Sequence, residues 1–214
     1  MRLDKLLVMR GYFSSRQKAK EAIKRGFVMV NGEVITKPST EVDLSANIVV
    51  LTSEKPRGYW KLKELDEAWN FIKKGDKVLD LGSSAGGFLL YASEKVGEDG
   101  MVYGIEISKE FESLLRDIER NRKKNIKIFI EDVFKFDISK LEPLDVILND
   151  LTLDPISSFK ATLRFIPILK KGGLVLFVMK TGIEHQEPDF YGFEVVNVKN
   201  AEDRKEKYIL LKRK

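Results

Sequence analysis

The sequence predicts an α/β protein: a doubly wound, seven-stranded sheet preceded by a small α+β domain at the N-terminus. Three observations carry that expectation. Beyond residue 58, apolar runs of strand length alternate with segments of helical periodicity, the pattern of successive βαβ units. A glycine-rich turn, Gly82-Ser-Ser-Ala-Gly86-Gly87, joins the first of those strands directly to a helix. Ahead of it, Phe27-Val-Met-Val-Asn31-Gly32-Glu-Val-Ile35 sets two apolar runs around Asn-Gly, a strong short hairpin signal.

With 214 residues, 43% of them hydrophobic, the chain has room for one domain of moderate size and a small module. The expected domains are 1–52 and 59–214. Residues 53–58, Ser-Glu-Lys-Pro-Arg-Gly, carry a Pro and a Gly without apolar periodicity and read as the linker. In the small domain, Leu3, Leu6 and Leu7 recur at helical spacing. After Gly11, Ser14 or Ser15 caps a second helix with Ala19, Ala22 and Ile23 inward. The 27–35 hairpin and a strand over 48–51 complete it. In the large domain the pattern predicts helices over 59–72, 86–95, from 109 and after Pro155, the third with Phe111, Leu114, Leu115 and Ile118 inward. Strands are predicted over 77–81, 102–107, 126–130, 145–148, 174–179, 193–198 and 207–212.

Composition narrows the chemistry. Zero cysteines exclude disulfides, thiolate metal sites and a Cys nucleophile, and a single histidine, His185, supports neither a His triad nor a zinc cluster. His185, between acids, reads as a loop residue. No metal site is expected, so chemistry falls to Asp, Glu, Lys or a bound cofactor. No apolar run approaches the ~20 residues of a membrane helix and the first residues lack a signal-peptide apolar region, so a cytoplasmic protein without a membrane role is expected. Abundant Lys, Glu and Ile with only two glutamines, Gln17 and Gln186, suggest a thermophile.

The net charge of +5 is mild, but its distribution is not. Residues 1–26 hold eight basic side chains against Asp4 and Glu21, six net positive charges. Arg16, Lys20 and Lys24 lie at i, i+4 and i+8 and form one helical stripe, either a solvated face or a track for a phosphate backbone. The run Arg2-Leu-Asp-Lys-Leu-Leu, Gly11, Ser15-Arg16, Ala19, Ile23, Gly26 to Gly32 and Lys37-Pro38 resembles the RNA-binding domain named after ribosomal small-subunit protein S-four. The resemblance implies that Arg2, Arg16, Lys20, Lys24 and Lys37 bind structured RNA.

At the glycine turn, the backbone is open to a ligand, and Glu106 at the end of the next strand is placed to bind ribose hydroxyls. Gly82, Gly86 and Gly87 do not make the dinucleotide fingerprint and no G-K-[ST] follows, which disfavours NAD and ATP. Asp80 before the turn, Glu106 and Glu131-Asp132 after the third strand together resemble the S-adenosylmethionine-dependent methyltransferase (Rossmann-like) fold. That likeness implies a cofactor site of Asp80, Gly82, Ser83, Ser84, Gly86, Gly87, Phe88, Glu106, Asp132, Val133 and Asp150, with Asp132 reading the adenine amino group.

Further runs, Arg57-Gly-Tyr-Trp-Lys61-Leu-Lys-Glu-Leu, Asn149-Asp150, Phe177-Val-Met-Lys180 and Arg204-Lys-Glu206-Lys-Tyr-Ile, resemble the FtsJ-type ribose methyltransferases, and the two-module architecture is similar to the TlyA or haemolysin-like group. The resemblance implies a catalytic tetrad of Lys61, Asp150, Lys180 and Glu206, and an RNA ribose 2′-O-methyltransferase acting on ribosomal RNA. A ribose hydroxyl is a very weak acid, so transfer needs a group to take its proton. Lys180 is the candidate base, its pKa expected to be lowered by desolvation and by Lys61, with Asp150 and Glu206 orienting it. Ser84-Ala85 stands where relatives have Ala-Pro, and Asn149-Asp150-Leu-Thr lacks their prolines, departures that bear on substrate fit. Trp60, Trp69, Phe88 and Tyr91, at helical positions, are read as core before RNA stacking. The competing reading is a non-catalytic RNA-binding or ribosome-assembly factor. A membrane-lytic role lacks an amphipathic apolar segment.

Overall fold

The computed structural model describes residues 1–13, 15–24, 26–50, 55–122, 125–182 and 186–214. The chain divides into two compact units, Met1–Lys55 and Pro56–Lys214.

In the first unit, helices α1 (Leu3–Met9) and α2 (Arg16–Lys24) precede β1 (Val28–Val30), β2 (Glu33–Val34) and β3 (Ile48–Val50), which pair antiparallel in the order β2-β1-β3. Ser15 Oγ accepts from Lys18 N at 3.3 Å, so Ser15 caps α2, while Ser14 lies outside the described residues. Asn31 and Gly32 both hold positive φ, 51° and 90°, the conformation a two-residue hairpin turn demands. Leu3, Leu6, Leu7, Ala19, Ala22 and Ile23 pack on Val28, Val30 and Ile48.

The second unit begins with helix α3 (Arg57–Trp69). Of the expected linker, residues 53 and 54 lie outside the described residues, whereas Arg57 and Gly58 form the first turn of α3 behind Pro56, whose fixed φ suits a helix entry. The helix also ends three residues earlier than periodicity predicts. Asn70 turns left-handed, and Asp66 Oδ1 accepts from the Phe71 and Ile72 amides at 3.0 and 2.9 Å, so those two apolar residues are buried by a side-chain-capped turn.

The following elements are β4 (Lys77–Leu81), α4 (Gly87–Val96), β5 (Met101–Glu106), α5 (Glu112–Arg122), β6 (Ile126–Ile130), β7 (Leu144–Asn149), α6 (Pro155–Leu163), β8 (Leu169–Lys180), β9 (Phe193–Ala201) and β10 (Glu206–Arg213). They build one seven-stranded sheet in the order β6-β5-β4-β7-β8-β10-β9, with β10 antiparallel to both neighbours. β8 is longer than expected because the Lys170-Lys-Gly-Gly173 stretch stays in the strand through a register shift in its pairing with β7. In α5, Leu115 and Ile118 are buried, but Leu114 is 45% exposed and Phe111 sits in a preceding 3₁₀ turn. Leu114 falls off the i, i+4, i+7 stripe of Phe111, Leu115 and Ile118 that faces the sheet.

Alternate residues along the strands feed opposite faces. Val78, Val102, Leu148, Leu176, Val178, Tyr208 and Leu210 pack beneath α3, α4 and α5, while Leu79, Ile105, Ile147, Val175, Phe177 and Ile209 pack against α6 with Phe159 and Phe165. No helix among the described residues is long and apolar enough to cross a membrane. The carboxyl ends of the parallel strands and the start of β10 share one edge of the sheet, where a doubly wound fold binds its ligands.

Candidate active site

Two lysines and two carboxylates meet at that edge. Lys61 comes from α3, Asp150 follows β7, Lys180 ends β8 and Glu206 opens β10. Glu206 and Lys180 are direct cross-strand partners in the β8–β10 ladder, so sheet register itself brings them together. Lys180 Nζ donates to Asp150 Oδ1 at 2.6 Å and to Glu206 Oε1 at 2.7 Å. Lys61 Nζ donates to Asp150 Oδ2 at 2.7 Å and to Glu206 Oε1 at 3.1 Å. Tyr208, buried two residues on, donates its hydroxyl to Glu206 Oε2 at 2.8 Å. Asn149 is buried and locked by Ser158 and Thr162 of α6, which fixes the strand end that carries Asp150.

Sequence reasoning expected a lowered Lys180 pKa, and here the structure corrects it. Burial does push the ammonium down, but the charge of Asp150 and hydrogen bonds to Asp150 and Glu206 outweigh it and raise Lys180 above the ordinary lysine value. Burial pushes the Glu206 carboxyl up, yet the hydrogen bonds from Lys180 and Tyr208 and the two lysine charges bring it down to about 2. Lys180 and Glu206 are therefore held ionised, with Asp150 and Lys61 as their hydrogen-bonded partners in the cluster.

The glycine turn adjoins this cluster. A cavity of about 470 Å³ is lined by Gly82, Ser83, Ser84, Ala85, Gly87 and Phe88 on one side and by Arg57, Lys61, Asp150, Arg204 and Glu206 on the other. Gly82 and Gly86 hold positive φ, 80° and 77°. A Cβ on Gly87 would fall 2.6 Å from Tyr59 N, so this glycine is required for the close crossing of α3 and α4 as much as for a ligand. Asp80 is buried beside the turn and its Oδ2 has no hydrogen-bond partner. Burial pushes the Asp80 carboxyl up to about 7, with Asp150 and Glu106 adding to the rise against a hydrogen bond from Ser83.

Glu106 spans two loops, its Oε2 accepting from Ser84 N and its Oε1 from Ser108 N, both at 2.7 Å. Ser84 itself is left-handed at φ 46°. Asp132 Oδ1 accepts from Phe134 N at 2.9 Å. The Val133 side chain is buried in the core and its carbonyl accepts from Arg164, so the part of Val133 left for a cofactor is its backbone N–H. Ile107, directly after β5, and Phe134, in the loop that follows β6, are 68% and 44% exposed and were not among the expected site residues. An exposed apolar residue one or two places past a site acid is a signal that could have found them.

Three members of the tetrad, Lys61, Asp150 and Glu206, thus share one cavity with the glycine turn, and Lys180 is tied to it through Asp150 and Glu206. Glu106 reaches the turn through Ser84, and Asp132 lies outside the cavity lining. Phe88 and Tyr91 are buried as expected of core, Trp69 is half-buried, and Trp60 stands out at 54% exposed. In the first unit, Arg2 and Arg16 are pinned on buried Asp4, Arg2 Nε at 3.0 Å and Arg16 Nη2 at 2.8 Å. The Arg2 hydrogen bond, together with Arg16, brings Asp4 down to about 2 against its burial. Among the described residues Lys20, Lys24 and Lys37 enter no ion pair, and Lys37 lies on the loop after β2, away from α2. His185 lies outside the described residues.

Comparison with known proteins agrees with this anatomy. A protein of Desulfosudis oleivorans named "Ribosomal RNA large subunit methyltransferase E" is 30% identical over 71% of this chain and 73% of its own length. Among solved structures, a Streptococcus thermophilus protein described as a candidate hemolysin superposes with a TM-score of 0.59 at 18% identity, over 100% of this chain and 88% of its own. A fibrillarin/Nop5p complex chain gives 0.57 at 22%, over 73% and 83%. Both show the fold. The S4 domain family matches residues 1–48 and the FtsJ-like methyltransferase family matches residues 55–209, so the chain belongs to the FtsJ-like methyltransferases and carries an S4 domain at its N-terminus.

Proposed function

We propose that the protein transfers a methyl group from S-adenosylmethionine to a ribose 2′-hydroxyl of RNA, with ribosomal RNA as the substrate class and the S4 domain supplying RNA affinity. The observation that carries this reading is the closed Lys61-Asp150-Lys180-Glu206 cluster beside the glycine turn. No member of the tetrad is missing or turned away, which favours an active enzyme over a non-catalytic RNA-binding factor.

The residues present fit the cofactor. Asp80 Oδ2, buried and without a partner, would accept the ammonium of the methionine moiety. Glu106 keeps a lone pair on each oxygen beyond its backbone bonds, enough for two ribose hydroxyls. Exposed Ile107 and Phe134 would flank the adenine, and Asp132 would take its amino group. When bound, S-adenosylmethionine supplies an electrophilic methyl on a sulfonium cation. Lys180, protonated in the free protein, gives up its proton more readily when a further positive charge stands beside the cluster. Neutral Lys180 would then take the hydroxyl proton as the oxygen–carbon bond forms and the methyl carbon–sulfur bond breaks, the sulfur leaving as a neutral thioether. Asp150 and Glu206 hold its Nζ from two sides, and Lys61 fixes both carboxylates. Alignment of oxygen and methyl supplies the larger share of the rate.

Calorimetry with S-adenosylmethionine tests the cofactor site, with Glu106→Ala expected to weaken binding. Mapping 2′-O-methylated nucleotides in ribosomal RNA from cells with and without the protein tests the activity. A modification map that does not change would overturn the reading.

A further inference from the structure

We propose that α3 forms a seat for one unpaired RNA nucleotide next to the methylated one, its base stacked on Trp60 and its phosphate held by Arg57. The inference rests on RNA being the substrate and narrows it to a stretch that is single-stranded at the site.

Trp60 is the exposed aromatic of the α3 entry. Tyr59 and Leu62 on either side of the Trp60–Lys61 pair are 7% and 0% exposed, whereas Trp60 is 54% exposed. Its ring is not loose, since Tyr59 meets it edge to face with centroids 5.1 Å apart and Lys63 Nζ lies 5.4 Å from its centroid. The ring is therefore presented with part of its rotamer entropy already lost, which lowers the cost of stacking a base on it. Arg57, one turn earlier on α3, is exposed, lines the cavity and pairs with no carboxylate among the described residues. Across the cavity the Arg204 guanidinium is already engaged, donating to the Tyr208 hydroxyl at 3.4 Å and lying 3.7 Å from both Glu64 and Asp203. Arg57 is therefore the lining guanidinium left to hold a phosphate at the mouth of a cavity whose other cations, Lys61 and Arg204, already face carboxylates.

Depth makes the single-stranded requirement. The side chains of Lys61 and Lys180 are only 11% and 19% exposed, so the hydroxyl that reaches Lys180 belongs to a nucleotide turned out of any helix. Turning it out leaves the neighbouring base without a stacking partner. Trp60, three residues after Arg57 and so on the same side of α3, offers a replacement stack beside the phosphate that Arg57 holds, and one aromatic–base stack is worth about 1–3 kcal/mol.

The test uses the full chain carrying Trp69→Phe, which leaves Trp60 as its only indole. The probes are a single-stranded decaribonucleotide of mixed sequence and the same sequence fully paired. The single strand should quench Trp60 fluorescence and the duplex should not. With Arg16, Lys20 and Lys24 replaced by Ala to remove the S4 contribution, Trp60→Ala should weaken single-strand affinity about 5- to 150-fold while Trp60→Phe recovers most of it. Arg57→Ala should lower the salt slope by about 0.7, the value for one single-strand phosphate. RNA that binds with no quench, with equal quench by duplex, or with affinity unmoved by Trp60→Ala would overturn the seat while leaving RNA as substrate. RNA that does not bind the chain at all would overturn both.

Discussion

Lys180 Nζ lies 2.6 Å from Asp150 Oδ1, and that contact sets the protonation state of the candidate base. With its pKa raised, Lys180 is charged in the free protein across the physiological range. The lysine limb of the pH profile should therefore lie at higher pH in kcat/KM, which reports the free enzyme, than in kcat, which reports the complex carrying the cofactor's positive charge. Lys61→Ala should move the kcat limb upward by removing a like charge. Lys180→Ala should lower the single-turnover rate about 10²- to 10⁴-fold with cofactor binding retained, and Lys180→Arg should not rescue it, because guanidinium stays protonated. Wild-type turnover in Lys180→Arg would leave this lysine a positioning role only.

Asp80 gives cofactor binding its own pH dependence. Its carboxyl titrates near 7 because it is buried, so below that pH an ammonium must displace a proton to pair with it. Affinity for S-adenosylmethionine should rise with pH between about 5 and 7, up to tenfold per unit, and Asp80→Asn should flatten the rise. Isothermal titration in buffers of different ionisation enthalpy would detect the released proton.

The basic face of the S4 domain has two kinds of cation. Arg2 and Arg16 are held in place by Asp4, and Lys20 and Lys24 enter no ion pair among the described residues. Replacing Arg16, Lys20 and Lys24 by Ala should weaken RNA binding and flatten its salt dependence, leaving cofactor affinity unchanged. Asp4→Asn should weaken RNA binding while adding net positive charge, the opposite of what bulk electrostatics predicts, because the two arginines lose their anchor. Filter binding across a salt series separates the outcomes.

Asp4 and Glu206 both have folded pKa values lowered to about 2. The stability each contributes is present above its ordinary value, 3.8 or 4.5, and is lost as pH falls towards 2. Thermal melts should therefore drop steeply between about pH 4 and 2. Asp4→Asn should blunt the part of that drop belonging to the first unit. Equal pH slopes in wild type and variant would refute the assignment.

Gly87→Ala places a Cβ 2.6 Å from Tyr59 N and 2.9 Å from Gly58, both backbone. Overpacking of this kind costs about 1–3 kcal/mol. The variant should melt earlier and lose cofactor affinity together, since α3 must back away from the turn. A melting temperature equal to wild type would show that the crossing yields.

Much of this was legible before any coordinates. The seven strands follow from apolar runs of the right length, and the Asn31-Gly32 hairpin from turn chemistry. The four tetrad positions came from motif resemblance, and their meeting is a property of the sheet: Glu206 faces Lys180 only because β10 inserts between β8 and β9, an order that periodicity does not encode. One error has a clear cause. Residues 71 and 72 continue the helical pattern of α3, yet Asp66 captures their amides and buries both side chains. The end of the helix is decided by that packing and not by the apolar period. The Lys180 pKa was misjudged in sign for the same reason, because it depends on how many carboxylates converge, a count that only the fold supplies.

The bond between Lys61 and Glu206 joins residues 145 positions apart, and that between Lys61 and Asp150 spans 89. Contacts of such sequence separation close large loops and form late, after helices and neighbouring strand pairs are already in place. The reactive centre is consequently the slowest part of the molecule to be born. In refolding experiments helical signal should return well before the cluster does, and any partly folded species would bind poorly and methylate nothing. Activity in this protein thus doubles as a certificate that the whole sheet, out to its antiparallel penultimate strand, has been assembled.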